Sequence, residues 1–241
     1  MFRTIYRVVA VCCIICCVGC SEQHVQGSGQ SKTERRSVSV FRQIDVNGSF
    51  IVDVVAGKQQ SVRVQADDNV LALVETQVKH GDLYIHPTSH AHYSAKNPVR
   101  VIITMKRLDA IHSAGSNEFL AKGINQDHLL VQLDGAGKVQ LAGKVQALDI
   151  TANGTGIIAA KDLIVQSARV KLSGAGEAIV HVVDALTVDV SGVATVKYIE
   201  KPRQMQVLIN GVGKVEQYTP PAQSPVIKKR SSPTATDKAS V

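Results

Sequence analysis

Three sets of residues in this 241-residue chain have types and spacings that chemistry can use. The densest is "HPTSHAHY", which places His86, His90 and His92 close together, with His80 nearby. On an extended segment His90 and His92 point the same way, and paired imidazoles are zinc-type ligands. No cysteine and no adjacent acid completes the set, and Pro87 to Ser94 reads as a loop, so no metal is assigned there. The second set is carboxylates: Asp134, Asp149, Glu177 and Asp189. Cleavage of a glycosidic bond needs two acids facing each other across the scissile linkage, whereas these four fall at different positions of a repeating pattern and read as solvated surface. The third set is the glycine-rich turns, "LDGAGKV" and "LSGAGEA". A phosphate-cradling loop must open a helix, and alternating strand residues follow here, so the turns read as structural. No catalytic residue, cofactor or metal site is expected.

The cysteines carry a different message. All five, Cys12, Cys13, Cys16, Cys17 and Cys20, lie in "VVAVCCIICCVGC", and none follows, so disulfides and thiol catalysis are excluded from the body. Arg3 and Arg7 precede an apolar run from Val8 to Gly19, the pattern of a secretory signal, too short to span a bilayer comfortably. Its end, "CVGC", resembles the bacterial lipobox: Gly19 and Cys20 fit, Val18 is acceptable, and Cys17 stands where Leu is usual. The resemblance implies cleavage before Cys20 and a lipid on it, so residues 1–19 are expected as a lipoprotein signal and 20–36, with "SEQHVQGSGQ" from Ser21 to Gln30, as a polar tether. An ordinary, cysteine-rich signal peptide is the alternative. Ser21 in place of Asp implies, by resemblance to Gram-negative sorting, the outer membrane.

The formal charge of +7 overstates the body. Two of the positive charges are Arg3 and Arg7, and the tail from Pro220 holds four basic residues against Asp237, which leaves the body near +2. Nucleic acid is therefore not an expected partner.

An internal repeat positions most of these residues. A small polar residue precedes a glycine-rich turn at Ser113, Asp134, Asn153, Ser173, Ser191 and Asn210, at spacings of 21, 19, 20, 18 and 19. Counting back one, three and five residues gives apolar sets: Leu133, Val131 and Leu129; Ala152, Ile150 and Leu148; Leu172, Val170 and Ala168; Val190, Val188 and Leu186; Ile209, Val207 and Met205. Each set shares one face of a strand, with Gln132, Thr151, Lys171 and Asp189 on the other. A shorter strand follows each turn, as in Val139 and Leu141 or Ile158 and Ala160. A twenty-residue unit of this kind buries its apolar face only by stacking on copies of itself, which predicts a β-solenoid over 112–218. The glycines are expected at stacked corners, where room is short and positive φ is common. Ser, Asp and Asn at the anchor are expected to bond the turn and form a ladder. The copy at Ser113 is irregular, with His112 at an inward position, as suits a terminal rung.

Residues 37–111 alternate with another period and carry turn signals at Asn47-Gly48, Ala56-Gly57 and His80-Gly81, which predicts an N-terminal β-sheet cap with hairpins. Residues 219–241, rich in Pro, Ser, Thr and Ala, are expected to be a disordered, solvated tail, with contact of Lys228, Lys229 and Arg230 to anionic lipid or polysaccharide as the alternative.

"GSG" at 27–29, "RSVSVFRQIDVNGSFIVDVVAG" from Arg36, "GDLYI" from Gly81 and the recurring "SGAG" together resemble the bacterial family described as putative auto-transporter adhesin, head GIN domain, from about Gly27 to Tyr218. The last turns dilute the motif with Val193-Ala194 and Val212. The resemblance implies an all-β, right-handed parallel β-helix-like solenoid on exported, often lipid-anchored proteins, an adhesin role by analogy, and no catalytic residues. The expectation is a non-enzymatic envelope protein, held in the membrane through Cys20 and presenting flat sheets to a glycan or protein partner. A carbohydrate-active enzyme and a self-assembling envelope protein are the alternatives. The sequence leaves the oligomeric state open.

Overall fold

In the computed structural model, which describes residues 24–88 and 92–220, almost all of the chain is β. The leader with Cys20, the residue His90 and the tail from residue 221 lie outside the described residues. Nine short strands come first: β1 (His24–Gln26), β2 (Ser31–Arg36), β3 (Gln43–Gly48), β4 (Ile51–Ala56), β5 (Ser61–Asp67), β6 (Val74–Lys79), β7 (Asp82–Pro87), β8 (His92–Ser94) and β9 (Arg100–Met105). Four long bent strands follow, β10 (Ala110–Leu133), β11 (Ala136–Ala152), β12 (Thr155–Leu172) and β13 (Ala175–Val190), then β14 (Val193–Tyr198), β15 (Gln204–Ile209) and β16 (Val212–Gln217).

From β10 to β16 every neighbouring pair is parallel, one repeat on the next, with the register shifting only at bends, between Ala121 and Ile124, Gln140 and Ala142, Ala160 and Ile164, and Val165 and Ser167. This is the parallel β-solenoid the repeat implies. Within one turn the buried residues of β12 run Ile158, Ala160, then Leu163, Val165, then Ala168, Val170, Leu172. Alternation skips a residue twice, and each skip marks a bend that keeps the apolar side inward. The inward sets expected before each corner are all buried, from Leu129 to Val190. Met205, Val207 and Ile209 are the exception, because they form the last turn and nothing described stacks beyond them.

The N-terminal region contains the expected cap and, beyond it, further turns of the solenoid. β3 and β4 lie parallel against β10, so residues 43–56 form a turn of the same solenoid. β7 and β9 lie parallel against β3 and β4 in turn, making a further turn outside it. The turn 43–56 is therefore sandwiched between two stretches that both follow it in sequence, and the 67 residues from Asn47 to Ala114 hide it from any search for a twenty-residue period. Asn47-Gly48 is a solenoid corner, and Ala56-Gly57 leads from β4 to β5, two strands that do not pair; neither is a hairpin turn. His80-Gly81 is one: Lys79 faces Asp82, and φ values of 54° and 89° match the two-residue turn that suits strand twist. The cap proper is antiparallel: β5 on β9, β2 on β5, and β6 on β7.

The expected tether is also corrected in part. Of residues 20–36, His24–Gln26 pair with β8 and Ser31–Arg36 pair with β5, so the chain joins the fold four residues after Cys20. Arg36 fixes this edge by donating to the Leu71 carbonyl at 2.7 Å.

The first repeat is displaced by one residue. Ser116 faces Ala136, so Gly115 stands over Gly135 and Ala114, in place of Ser113, takes the anchor position. His112 then points outward and Ser113 inward, where it is buried. Two columns run along this corner. One holds Gly48, Gly115, Gly135, Gly154, Gly174, Gly192 and Gly211; a Cβ on Gly174 would sit 1.7 Å from the Gly154 carbonyl oxygen, and on Gly154 1.8 Å from that of Gly135. Close backbone approach, more than positive φ, is what these positions require. The second column holds Gly137, Gly156, Gly176, Ala194 and Gly213, and begins with Asn117 over Phe50.

A Gly174→Ala chain is expected to lose about 3 kcal/mol or more, because the clash is with backbone that its own ladder holds in place. Gly57→Ala, where φ is +79° but the nearest atom is 3.9 Å away, is expected to lose only about 1 kcal/mol. Chemical denaturation of the two variants side by side checks this.

Candidate functional site

Two surface features are built by this stacking. The first is a row of side chains across the outer face of the sheet that precedes the glycine corner. In-register pairing lines up Tyr84, Asp45 and His112, and continues through Gln132, Thr151, Lys171 and Asp189. The four sequence-predicted outward residues are thus brought into one line, extended by three residues that the sequence reading left outside it.

Around its N-terminal end Asp45 lies among Asp82, His86 and His112. Burial raises the Asp45 carboxyl and the Asp82 charge adds to the rise, while His112 and His86 oppose it. His112 Nε2 and Asp82 Oδ1 are buried with no hydrogen-bond partner among the described residues. These groups do not converge: no group of three His, Cys, Asp or Glu among the described residues could hold a metal ion. His86 and His92, read together in sequence, are on separate sheets. His86 Nδ1 lies 2.9 Å from the Pro87 carbonyl, and His92 pairs in register with His24 of β1.

The scattered acids serve the stack. Asp134 accepts from Asn153 Nδ2 at 2.7 Å, one realised step of the expected anchor ladder. Asp149 meets His128 at 2.8 Å, and Glu177 accepts from Lys197 at 2.5 Å, a hydrogen bond that raises the Lys197 pKa. Each contact ties one turn to the next.

The second feature is an open groove of about 580 Å³ beside the first turns. Its floor is the corner of three stacked turns, at Phe50, Asn117 and Gly137, with Glu118 and Lys138 alongside. Its overhanging wall is the segment from Tyr93 to Val99. Asn117 makes the floor rigid: it is buried, accepts from the Phe50 amide at 3.1 Å, and donates to the Ala114 carbonyl at 2.7 Å and to Ser113 Oγ at 3.1 Å. The replacement of the second glycine by Asn in "AGSN" is the signal that points to it.

Asp67 holds the wall. Its buried carboxylate accepts from the Lys96 amide at 2.7 Å, from the Asn97 amide and from the Asn97 side chain. Burial pushes this carboxyl up, but the Asn97 side chain and the amides of Lys96, Asn97 and Gly29 outweigh it and leave the pKa below the ordinary value. Gly27 is required beside it, since a Cβ there would lie 2.0 Å from the carboxylate. Tyr93 is half-buried in the same wall, and burial raises its hydroxyl pKa. The groove thus offers aromatic surface, a backbone floor and one charge of each sign.

A stacked parallel sheet with a row of polar side chains and a lateral groove defines a parallel β-solenoid. The chain belongs to the family described as putative auto-transporter adhesin, head GIN domain, whose model matches residues 40–202. Among solved structures, it is similar to a putative adhesin from Bacteroides fragilis, with 21% identity and a TM-score of 0.67 over 80% of this chain and 100% of that one. A putative lipid binding protein from Parabacteroides distasonis is similar over 82% and 100%, with 17% identity and a TM-score of 0.51. Both likenesses are of fold. No curated protein matches.

Because the Asp67 pKa is depressed on folding, its contribution is complete above the ordinary carboxylate range and is lost as pH falls through the lowered value. In Asp67→Asn the amides of Lys96 and Asn97 are expected to exchange faster at neutral pH. The acid loosening of the wall, present in the parent as pH falls through the lowered value, is expected to disappear. Hydrogen exchange across that range is the measurement.

Proposed function

We propose that this chain is a lipid-anchored, non-enzymatic binding module of the bacterial cell envelope, held by a lipid on Cys20 in the outer membrane of a Gram-negative cell. It presents its polar row and groove to a glycan or protein partner. The observation that carries the binding role is the row that in-register stacking builds from Tyr84 to Asp189, and the anchor rests on "CVGC", with His24 already paired in β1 four residues after Cys20. A lipid on Cys20 would tether the chain to the bilayer from its cap region. The family description as an adhesin supports the binding role. The row from Tyr84 to Asp189 suits an extended partner, since its amides, hydroxyls and charges repeat at the strand spacing.

The mass of the mature N-terminus and the membrane fraction it enters test the anchor. The parent is expected to carry lipid on Cys20 and to fractionate with the outer membrane, and Cys20→Ala is expected to release it. An unmodified, soluble periplasmic product from the parent would sink the proposal.

A further inference from the structure

The two ends of the solenoid are finished in opposite ways. At the cap end the sheet edges are β2, with Lys32, Glu34, Arg35 and Arg36 in six residues, and β6, with Glu75 and Lys79. Charged edge strands block pairing with another chain. At the other end β15 pairs with β13 and β16 with β14, and among the described residues the far edge of each is free. β15 has no charged residue, and its Val207, Leu208 and Ile209 are 45%, 54% and 38% exposed. Val207 and Ile209 stack directly on the buried Val188 and Val190, so at this end the core itself is open. An uncharged, β-branched strand with a free edge is a template for strand pairing.

We infer that this last turn is the contact between two copies of the chain, joined end to end about a two-fold axis. The chain's own continuation is a poor cover. Residues 219–241 contain Pro220, Pro221, Pro225 and Pro233, and at the local spacing of 19 Pro225 falls on Gln206, where the ladder needs an N–H. The cap end of another copy is a poor cover as well, because its charged edges would meet an uncharged strand. The open end of a second copy is complementary. β15 and β16 meet at the Asn210–Gly211 corner, so a two-fold axis near that corner lays β15 of each copy antiparallel along β16 of the other. Inward residues must face inward residues, which sets Val207 against Val215 of the second copy, Ile209 against Gly213, and Leu208 against Lys214. Both free edges are then paired and both core ends covered. The product is a closed dimer with charged caps outermost. The inference does not rest on the lipid at Cys20.

The chain from Ser21 to Val241 keeps every described residue and serves for sedimentation velocity over a wide concentration range. A monomer–dimer equilibrium with no larger species is expected. Leu208→Lys, on an exposed position, sets two lysine pairs against each other per dimer and is expected to weaken dimerisation about tenfold. Adding Lys214→Glu to the same chain is expected to restore it. A monomer at every concentration, a series of larger oligomers, or a Leu208→Lys chain that dimerises as the parent does overturns the inference. So does a dimer that forms only when residues 219–241 are removed, since the tail would then be the occupant.

Discussion

The structure depends on how closely one backbone turn lies over the next at a single corner. Seven glycines from Gly48 to Gly211 stand there in a column, and every added Cβ from Gly115 onward would fall within 2.3 Å of the carbonyl oxygen beneath. That spacing is what permits unbroken parallel ladders through the corner, and the ladders in turn fix which residues face in. Once the corner is set, Leu133, Ala152, Leu172 and Val190 have to stack, and with them the continuous core from Phe41 to Val196. Function inherits the same constraint, because the polar row is the other side of the same strands.

The part of the fold legible in the sequence is the part in which neighbours in space are neighbours in the repeat. Val131, Ile150, Val170 and Val188 could be aligned by counting because each lies one period from the next. Val46 and Val52 belong to the same core, but their turn is inserted between later segments, so no period reaches them. The single-residue error at Ser113 has a related cause. Spacings of 18 to 21 admit a shift of one, and only the pairing of Gly115 with its neighbours decides between them.

The candidate site divides along the same line. The row Gln132, Thr151, Lys171 and Asp189 follows from alternation and was visible in advance. The groove was not, because its wall comes from a short segment near Tyr93 held by Asp67, itself thirty residues distant in the chain from Asn97. A buried carboxylate satisfied by backbone amides and one amide side chain leaves no pattern that spacing reveals. Nor does a histidine count: "HPTSHAHY" reads as a ligand cluster, yet the fold sends His86 and His92 to separate sheets.

The insertion of residues 43–56 between later segments has a consequence for the order in which the molecule can be made. A chain synthesised from its N-terminus presents this turn early, but the strands that flank it, β9 on one side and the first half of β10 on the other, are not complete until about residue 122 has emerged. Earlier repeats cannot therefore serve as a finished template for later ones, as they would in a solenoid stacked strictly in sequence. The nucleus must bring together segments separated by long loops, which slows its formation.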